Sequence, residues 1–380
     1  MLSNLKNRVR AHLINYKGWS TNRKIVVFES DDWGSIRMPN KQAFDNLLNK
    51  GVPVNKSPYC LYDNLCSVED IELLFNVLRK HKDSLGKNPV ITANVVVANP
   101  DFKKIKETNF GNYYYESVDK TLEHFFPGNS PLAIWKEGLK NDLFFPQFHG
   151  REHVNVPLWL KTLRANDPIF TEAFNNGCWG ISTDAYNKYP KSIQASFDYN
   201  NSDELQFLEQ SIDEGLDLFE KLFGYKSESF IPNNYIWSSE LDYILQKKGV
   251  KYMQGMKYQL YPKLEGDDKR KKTRRYNGQR FGHNLELLNI VRNGVFEPSF
   301  LLNSDRTISV RNCLEQIQNS FFWSKPAVIS VHRINFCGTL QKDNRDTNLI
   351  LFDKLLKEIT KKWPDVIFMD TVSLAELINK

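Results

Sequence analysis

Short continuous apolar runs alternate along the chain with longer segments whose apolar residues recur at helical spacing. The runs are typical of strands buried on both faces, and they cover residues 25–28, 89–98, 143–148, 229–232, 252–254, 287–291, 327–331 and 366–369. The helical spacing covers residues 41–49, 68–80, 157–165, 203–223, 239–248, 309–321, 349–361 and 372–379. This alternation predicts βα units around a parallel sheet. Seven or eight units over 380 residues favour one α/β barrel over the alternative, a doubly wound open sheet.

Two adjacent acids, Asp31 and Asp32, stand close after the first apolar run, residues 25–28. In parallel α/β folds, catalytic and ligand-binding groups gather at the carboxyl ends of strands. Buried carboxylates also need a partner, because burying an unpaired charge is costly. The pair therefore indicates a functional site, and the alternative is an acidic loop in which Asp32 caps the next segment.

Two histidines, His149 and His153, follow the apolar run 143–148 at a spacing of four residues. Side chains four apart lie on one face of a helix and can share one metal ion. The alternative is a pair of polar residues on a solvated turn. A catalytic metal usually has three protein ligands, and an acid from another strand end is the natural third. Because adjacent side chains on a strand diverge, one acid can bind metal while the other faces a water.

These motifs, with the Val331-His332 pair near the end of the last long strand, resemble the NodB-type polysaccharide deacetylases, carbohydrate esterase family four. The resemblance covers about residues 24–379, including MDTVSLAELI near the end, which looks like the closing helix of the family. It implies a distorted (β/α)7 barrel and removal of an acetyl group from an N-acetylated sugar or glycan. It also implies a divalent metal, with zinc expected. Carried over, Asp31 is the base, His332 the general acid, and the metal ligands are Asp32, His149 and His153.

The chain departs from the family pattern in three places. Residues 29–34 read ESDDWG where the family has Thr-Phe-Asp-Asp-Gly, and Gly150 replaces a Ser or Thr. Residues 230–235 lack the arginine that in the family orients the catalytic aspartate. Arg292 or Arg333, from other strand ends, are the candidate substitutes. These changes indicate a divergent branch.

Substrate contacts are expected from polar and aromatic residues on loops at the same end of the barrel. Aromatic rings there stack on sugars, although packing at the barrel rim is the alternative. The expected contact residues are Trp33, Asn234, Tyr235, Trp237 and Arg333. Residues 266–282 form a basic loop, whose candidate roles are binding phosphate, nucleic acid or an anionic glycan, or simply a solvated loop.

Composition narrows the class of protein. The chain is 41% hydrophobic and 13% aromatic, enough for a large core, and its net charge of +6 does not predict nucleic-acid binding. The five cysteines have no CxxC spacing and indicate free thiols. Residues 1–22 are expected to form a basic helix, and residues 23–380 one barrel domain. No stretch approaches a membrane span, so a soluble cytoplasmic protein is expected.

Two other functions stay open at this point. A metal-free glycoside hydrolase would use paired carboxylates on a similar barrel, and Glu29 or Glu297 would then be the catalytic acids. A glycan-binding protein with a degenerate site is the other possibility, because the family arginine is missing from residues 230–235. Metal content would distinguish the glycoside hydrolase from a deacetylase, and turnover would distinguish the glycan-binding protein from a deacetylase.

Overall fold

A computed structural model describes residues 12, 14–181 and 191–380 of the protein. The basic helix expected over residues 1–22 therefore falls largely outside the described residues. No helix in the described part combines the length and the apolar content that crossing a membrane requires. All five cysteines are free thiols in buried positions, as their spacing predicted.

A parallel sheet forms the centre of the fold. Its strands are β1 (Ile25–Trp33), β2 (Ile91–Val96), β3 (Phe144–Gly150), β4 (Ser229–Phe230), β5 (Tyr252–Gly255), β6 (Leu287–Val291), β7 (Ala327–His332) and β8 (Ile367–Met369). Four short strands pair outside this sheet, Ala98–Pro100 with Tyr115–Ser117 and Tyr258–Leu260 with Lys272–Arg274. Two more extend the main sheet, Arg280–Phe281 beside β6 and Gly294–Val295 beside β7.

The sheet curls until one chain segment meets both of its ends. The strands run in the order β6, β5, β4, β3, β2, β1, β7, and β8 pairs with the start of β1. β6 pairs with β5, whereas its continuation Gly294–Val295 pairs with β7. The switch falls at two residues: the Arg292 N–H donates to Gly255 O (2.8 Å) and the Asn293 N–H to Val328 O (3.0 Å). The predicted distorted (β/α)7 barrel is confirmed, and a doubly wound open sheet is excluded.

Helices lie between the strands, as the sequence periodicity predicted. The α-helices are Lys41–Asn49, Pro58–Tyr62, Val68–Arg79, Phe102–Glu107, Val118–Phe125, Leu132–Lys140, Val156–Arg164, Pro168–Asn175, Ser202–Phe223, Asp242–Lys247, Thr307–Phe322, Lys342–Lys362 and Thr371–Asn379. The short 3-10 helices are Val54–Lys56, Asn233–Tyr235, Ser239–Leu241, His283–Leu285, Pro298–Phe300 and Arg333–Asn335.

The ends of these helices show the expected capping chemistry. Ser67 and Asp70 form a capping box at the start of Val68–Arg79, each side chain accepting from the other's backbone N–H. Gly224 ends Ser202–Phe223 in the left-handed conformation, which glycine adopts at little cost. The apolar faces of the helices cover the sheet, so every residue of β1 is buried and the carboxyl ends of the strands form the floor of the site.

Candidate metal centre and active site

Three metal-ligand side chains converge at the carboxyl ends of β1 and β3. Oδ1 of Asp32 lies 3.4 Å from Nε2 of His149 and 3.0 Å from Nε2 of His153, and all three residues are buried. Ligands at about 2.0–2.1 Å from a tetrahedral zinc ion lie about 3.4 Å apart. The separations in this cluster are therefore those of residues able to share one ion.

Neighbouring side chains contact two of the three inward atoms: Nδ2 of Asn233 lies 3.0 Å from Nε2 of His149, and Nη2 of Arg37 lies 3.3 Å from Nε2 of His153. Nδ1 of His149 donates to the Ile231 carbonyl at 2.8 Å, so Nε2 keeps its lone pair. Oδ1 of Asp32 has no hydrogen-bond partner among the described residues, whereas Oδ2 accepts from Arg37 at 2.9 Å. A buried carboxylate oxygen without a donor is rare and needs an explanation. A divalent cation among these atoms would supply that explanation, so the residues present fit such an ion.

The charge states of the cluster also suit metal binding. Burial alone would raise the pKa of Asp32, but Arg37 and the two histidines outweigh it and hold that pKa well below its usual range. Burial and the nearby Arg37 cation lower the pKa of His153 to about 4. Asp32 is therefore ionised and His153 neutral at physiological pH, the forms in which both residues coordinate metals.

Irregular backbone aims the ligands at one another. The β1–β2 pairing shifts register between Ser30 and Trp33, and Asp32 within that bulge has φ 75°. Gly150 ends β3 with φ 126°, and a Cβ there would approach the Glu152 carbonyl oxygen to 3.2 Å. The glycine that departs from the family pattern is thus demanded by the local backbone. Left-handed non-glycine residues such as Asp32 cluster at functional sites.

Asp31, the residue before Asp32, forms a bidentate ion pair with Arg292. Nη1 and Nη2 of Arg292 donate to Oδ2 and Oδ1 of Asp31, each at 2.6 Å, and Asn94 donates to Oδ1 at 2.7 Å. Nε of the same guanidinium donates to Glu29 at 2.6 Å. Burial acts to raise the pKa of Asp31, but Arg292 prevails and the pKa falls to about 2. Arg292 therefore takes the orienting position for which the sequence offered two candidates.

His332 faces Asp31 from the end of β7 and is held by Glu297. Nδ1 of His332 lies 2.5 Å from Oε1 of Glu297, and Nε2 lies 3.7 Å from Oδ2 of Asp31. Asn335 fixes the other oxygen of Glu297 at 2.7 Å. Burial acts to lower the pKa of His332, but Glu297 outweighs it and raises the pKa to about 9. The imidazole is thus protonated at neutral pH.

A series of linked, buried ion pairs that the sequence analysis did not predict extends from Asp32 into the protein. Nε of Arg37 lies 3.0 Å from Oδ2 of Asp63, and Nη2 of Arg333 lies 2.8 Å from Oδ1 of the same residue. Arg333 is 0% exposed, which corrects the expectation that it contacts substrate. Its charge is used inside the protein, where it balances Asp63 and so supports Arg37 beside Asp32.

The predicted aromatic contacts divide into core and rim residues. Trp33 and Trp237 are both 0% exposed, which corrects the expectation that they stack on a sugar. The Trp33 ring packs at 4.8 Å against Phe144, and the Trp237 indole donates to Asp242 at 2.7 Å. Tyr235 is only partly buried, and its hydroxyl accepts from Nη1 of Arg292 at 3.3 Å.

Asn234, beside Tyr235, is exposed on the same short loop. Of the residues predicted to line the site, the structure brings together Asp31 and His332 and, beside them, the three metal-ligand residues. The side chains that only the structure adds are Arg37 and Asp63, and it gives Glu297, until then a candidate acid of a glycoside hydrolase, the role of holding His332. Local sequence carries no signal for these contacts, because the fold decides which charges meet; Asp63, for example, pairs with Arg333 across 270 positions.

Comparison with known proteins finds structural likeness without sequence similarity. No family model and no curated protein sequence matches the chain. Among solved structures, it is similar to a probable polysaccharide deacetylase from Pseudomonas aeruginosa PAO1, at 9% identity and a TM-score of 0.45, covering 93% of this chain and 91% of that one. It is also similar to a putative polysaccharide deacetylase from Mycobacterium smegmatis, at 8% identity and a TM-score of 0.39, covering 96% and 93%.

The structural likeness extends to enzymes of other named activities. A 4-alpha-glucanotransferase from Thermococcus litoralis matches at 11% identity and a TM-score of 0.44; 93% of this chain is covered but only 40% of that chain. The Puue allantoinase matches at 10% identity and a TM-score of 0.43, covering 94% and 91%. At such identities the likeness concerns the fold alone, and the chemistry has to be argued from the side chains.

Proposed function

We propose that this protein is a metal-dependent hydrolase that removes the acetyl group from an N-acetylated sugar or glycan. One observation carries the proposal: the Asp32, His149 and His153 cluster lies beside an ionised carboxylate on β1 and a protonated imidazole on β7. Amide hydrolysis requires a polarised carbonyl, a base for the attacking water and an acid for the departing amine. The three groups needed for these tasks lie together at the carboxyl end of the barrel.

Asp32, His149 and His153 would hold the metal, for which zinc is the expected ion because two imidazoles and a carboxylate are a common zinc donor set. When bound, a divalent ion there supplies Lewis acidity toward the acetyl carbonyl and lowers the pKa of water. Nδ1 of His149, fixed on the Ile231 carbonyl, keeps the ligand ring in one orientation.

Asp31 and His332 divide the proton transfers between them. Asp31 is ionised and accepts a proton from the attacking water, whose oxygen forms a bond to the acetyl carbon. The C–N bond then breaks, and His332 gives its proton to the amine nitrogen that leaves. Arg292 keeps Asp31 in position through two donors at 2.6 Å, and Glu297 keeps His332 in position through Nδ1.

The structure disfavours a metal-free glycoside hydrolase. Such an enzyme needs two carboxyl groups on either side of the scissile bond. Glu29 is fully buried below the site, where it accepts from Arg292 at 2.6 Å and from Thr371 at 2.8 Å. Glu297 is already engaged by His332. Neither of these two glutamates is therefore available to a substrate as a catalytic carboxyl group.

We place the reaction in the cytoplasm, since five free thiols suit a reducing compartment, and take the substrate to be a sugar precursor or glycan intermediate. Tyr235 and Asn234 remain the proposed substrate contacts, because the Tyr235 hydroxyl contacts Arg292 and Asn234 is exposed beside it on the same loop. A glycan-binding protein with a degenerate site would hold the same sugar without turnover.

The test measures released acetate from N-acetylated oligosaccharides by zinc-loaded protein. Asp31→Asn should retain metal yet lose about 10²- to 10⁴-fold in kcat, because only the base is removed. Asp32→Ala should lose the metal and the activity together. Absence of acetate release by the metal-loaded wild type, with binding of the same sugars intact, would identify a glycan-binding protein instead.

A further inference from the structure

The positive charge of the protein is concentrated in one segment. Residues 257–275 contain eight lysines and arginines but only three aspartates and glutamates, while the whole chain has a net charge of +6. The rest of the chain is thus nearly neutral. Such a concentration is a local feature that needs a physical explanation, since scattered surface charge would serve solubility equally well.

The basic segment is a β-hairpin at the catalytic end of the barrel. It starts directly after β5, and Tyr258–Leu260 pairs antiparallel with Lys272–Arg274. The Trp237 N–H donates to the Leu260 carbonyl at 2.9 Å, which ties the hairpin to the loop that carries Tyr235. The Tyr235 hydroxyl in turn touches Arg292, the partner of Asp31. These contacts connect the hairpin to the Asp31 carboxylate through Tyr235 and Arg292.

One face of the hairpin is fixed against the barrel. Gln259 is buried, and its Nε2 donates to the Trp237 carbonyl at 3.1 Å. Arg275 donates to Oε1 of Gln259 at 2.9 Å, and its guanidinium stacks 4.3 Å from the Phe281 ring. Arg270, in the turn, is paired with the buried Asp198 at 2.6 Å. These two arginines anchor the hairpin, so their charges serve structure.

The other face presents an aromatic ring between two cations. Strand alternation puts Tyr258 on the face opposite Gln259, and Tyr258 is 43% exposed. Nζ of Lys272 lies 5.0 Å and Nζ of Lys257 lies 5.6 Å from the Tyr258 ring. Within the part of the chain that the structure describes, Lys257, Lys271 and Lys272 form no ion pair with a carboxylate. Their charges are available to a ligand.

We propose that the substrate is an anionic glycan, and that this hairpin binds its phosphate or carboxylate group while the N-acetyl group lies at the metal centre. The inference rests on the proposed function and specifies its substrate class. An exposed ring can stack on a sugar, and lysine ammonium groups bind phosphate and carboxylate oxygens. A glycan is favoured over nucleic acid because the hairpin adjoins the loop that carries Tyr235, where Leu260 bridges to Ile236, and because its cationic face offers a single exposed ring.

The experiment compares three ligands: neutral N-acetylglucosamine tetramer, the same sugar carrying a phosphodiester, and an oligosaccharide of alternating N-acetylglucosamine and uronate. Binding is measured by calorimetry on zinc-loaded Asp31→Asn protein, and turnover on the wild type, at low and high salt. We expect at least one anionic sugar to bind about tenfold more tightly than the neutral tetramer at low salt. The anionic sugar whose affinity exceeds that of the neutral tetramer identifies the group, phosphate or carboxylate, that the hairpin binds.

A double variant and a matched control locate the effect. Lys271→Ala/Lys272→Ala should raise the dissociation constant and the KM of the anionic sugar about tenfold. Lys140→Ala/Lys361→Ala removes the same charge from exposed positions at the opposite end of the barrel and should change neither.

Two outcomes would overturn the inference. In one, neutral and anionic sugars show equal dissociation constants and equal KM values, and the hairpin variant changes neither. That outcome would refute the anion site but not the proposed deacetylase function. In the other, a deoxythymidine oligomer binds through the same lysines more tightly than every sugar. Failure of the deacetylase itself is distinct, because zinc-loaded wild type would then release acetate from none of the three ligands, while calorimetry would still decide whether the hairpin binds anions.

Discussion

Arg292 binds Asp31 through two parallel hydrogen bonds of 2.6 Å, although 261 positions separate the two residues in the chain. Arg292 stands where the closing segment of the barrel leaves β5 and joins β7. The segment that closes the barrel therefore also delivers the cation that fixes the Asp31 carboxylate. This relationship yields the first of four predictions.

Replacing Arg292 by lysine should lower kcat/KM by about 10²-fold while the metal content stays unchanged. Lysine keeps the positive charge but cannot form the bidentate contact that orients Asp31. The control is Arg345→Lys, another buried arginine–carboxylate pair, in which Arg345 donates to Asp70 at 2.7 Å away from the site. Both variants should lose stability in urea unfolding, but equal losses of kcat/KM would show that Arg292 acts only through the fold.

Metal binding should depend on three residues and on no other histidine tested. Asp32→Ala, His149→Ala and His153→Ala should each reduce bound zinc from about one equivalent to a trace after dialysis, as measured by elemental analysis. His81→Ala is the control, since His81 pairs with Asp353 at 2.9 Å on another part of the molecule. A zinc chelator should also lower the Tm of the wild type but not of Asp32→Ala. Full zinc occupancy in all four variants would refute the proposed ligand set.

The pH profile should report His332. Because Glu297 outweighs burial and raises the pKa of His332 to about 9, the imidazole keeps its acidic proton throughout the neutral range. The rate should fall as pH rises through about 9. The raised pKa also stabilises the folded protein: this contribution is complete below pH 6.5, the pKa of His332 in the unfolded chain, and is lost as pH rises through about 9. Glu297→Gln should move the alkaline limb of kcat/KM to lower pH. An alkaline limb at the same pH in both proteins would assign it to another group.

Gly150→Ala should impair zinc binding as well as stability. Gly150 lies between His149 and His153 in the chain and has φ 126°. A Cβ added there would lie 3.2 Å from the Glu152 carbonyl oxygen. Gly51→Ala is the matched control, because Gly51 has φ 80° but no atom within 4 Å of a Cβ. Both should lose about 1–3 kcal/mol of unfolding free energy, measured in urea, from the left-handed backbone. Only Gly150→Ala should also bind zinc more weakly, and equal zinc affinity in both variants would contradict the role given to Gly150.

The sequence by itself determined the barrel and much of its site. Apolar runs such as residues 25–28 and the helical spacing of residues 68–80 predict their elements, because side-chain periodicity follows directly from strand and helix geometry. Asp31, Asp32, His149 and His153 could be selected because they directly follow such runs, and the carboxyl ends of parallel strands meet at one edge. The resemblance to a known family then supplied a role for each of them.

Only the tertiary structure decided which charges serve the chemistry and which serve the fold. Arg292 and Arg333 were equivalent candidates in the sequence, yet closure of the barrel puts Arg292 on Asp31, and Asp63 takes Arg333. Trp33 and Trp237 were expected on loops, but both are fully buried and leave no surface for a sugar. The physical reason is the same throughout: burial and pairing depend on residues hundreds of positions away, and no local pattern in a single sequence records those contacts.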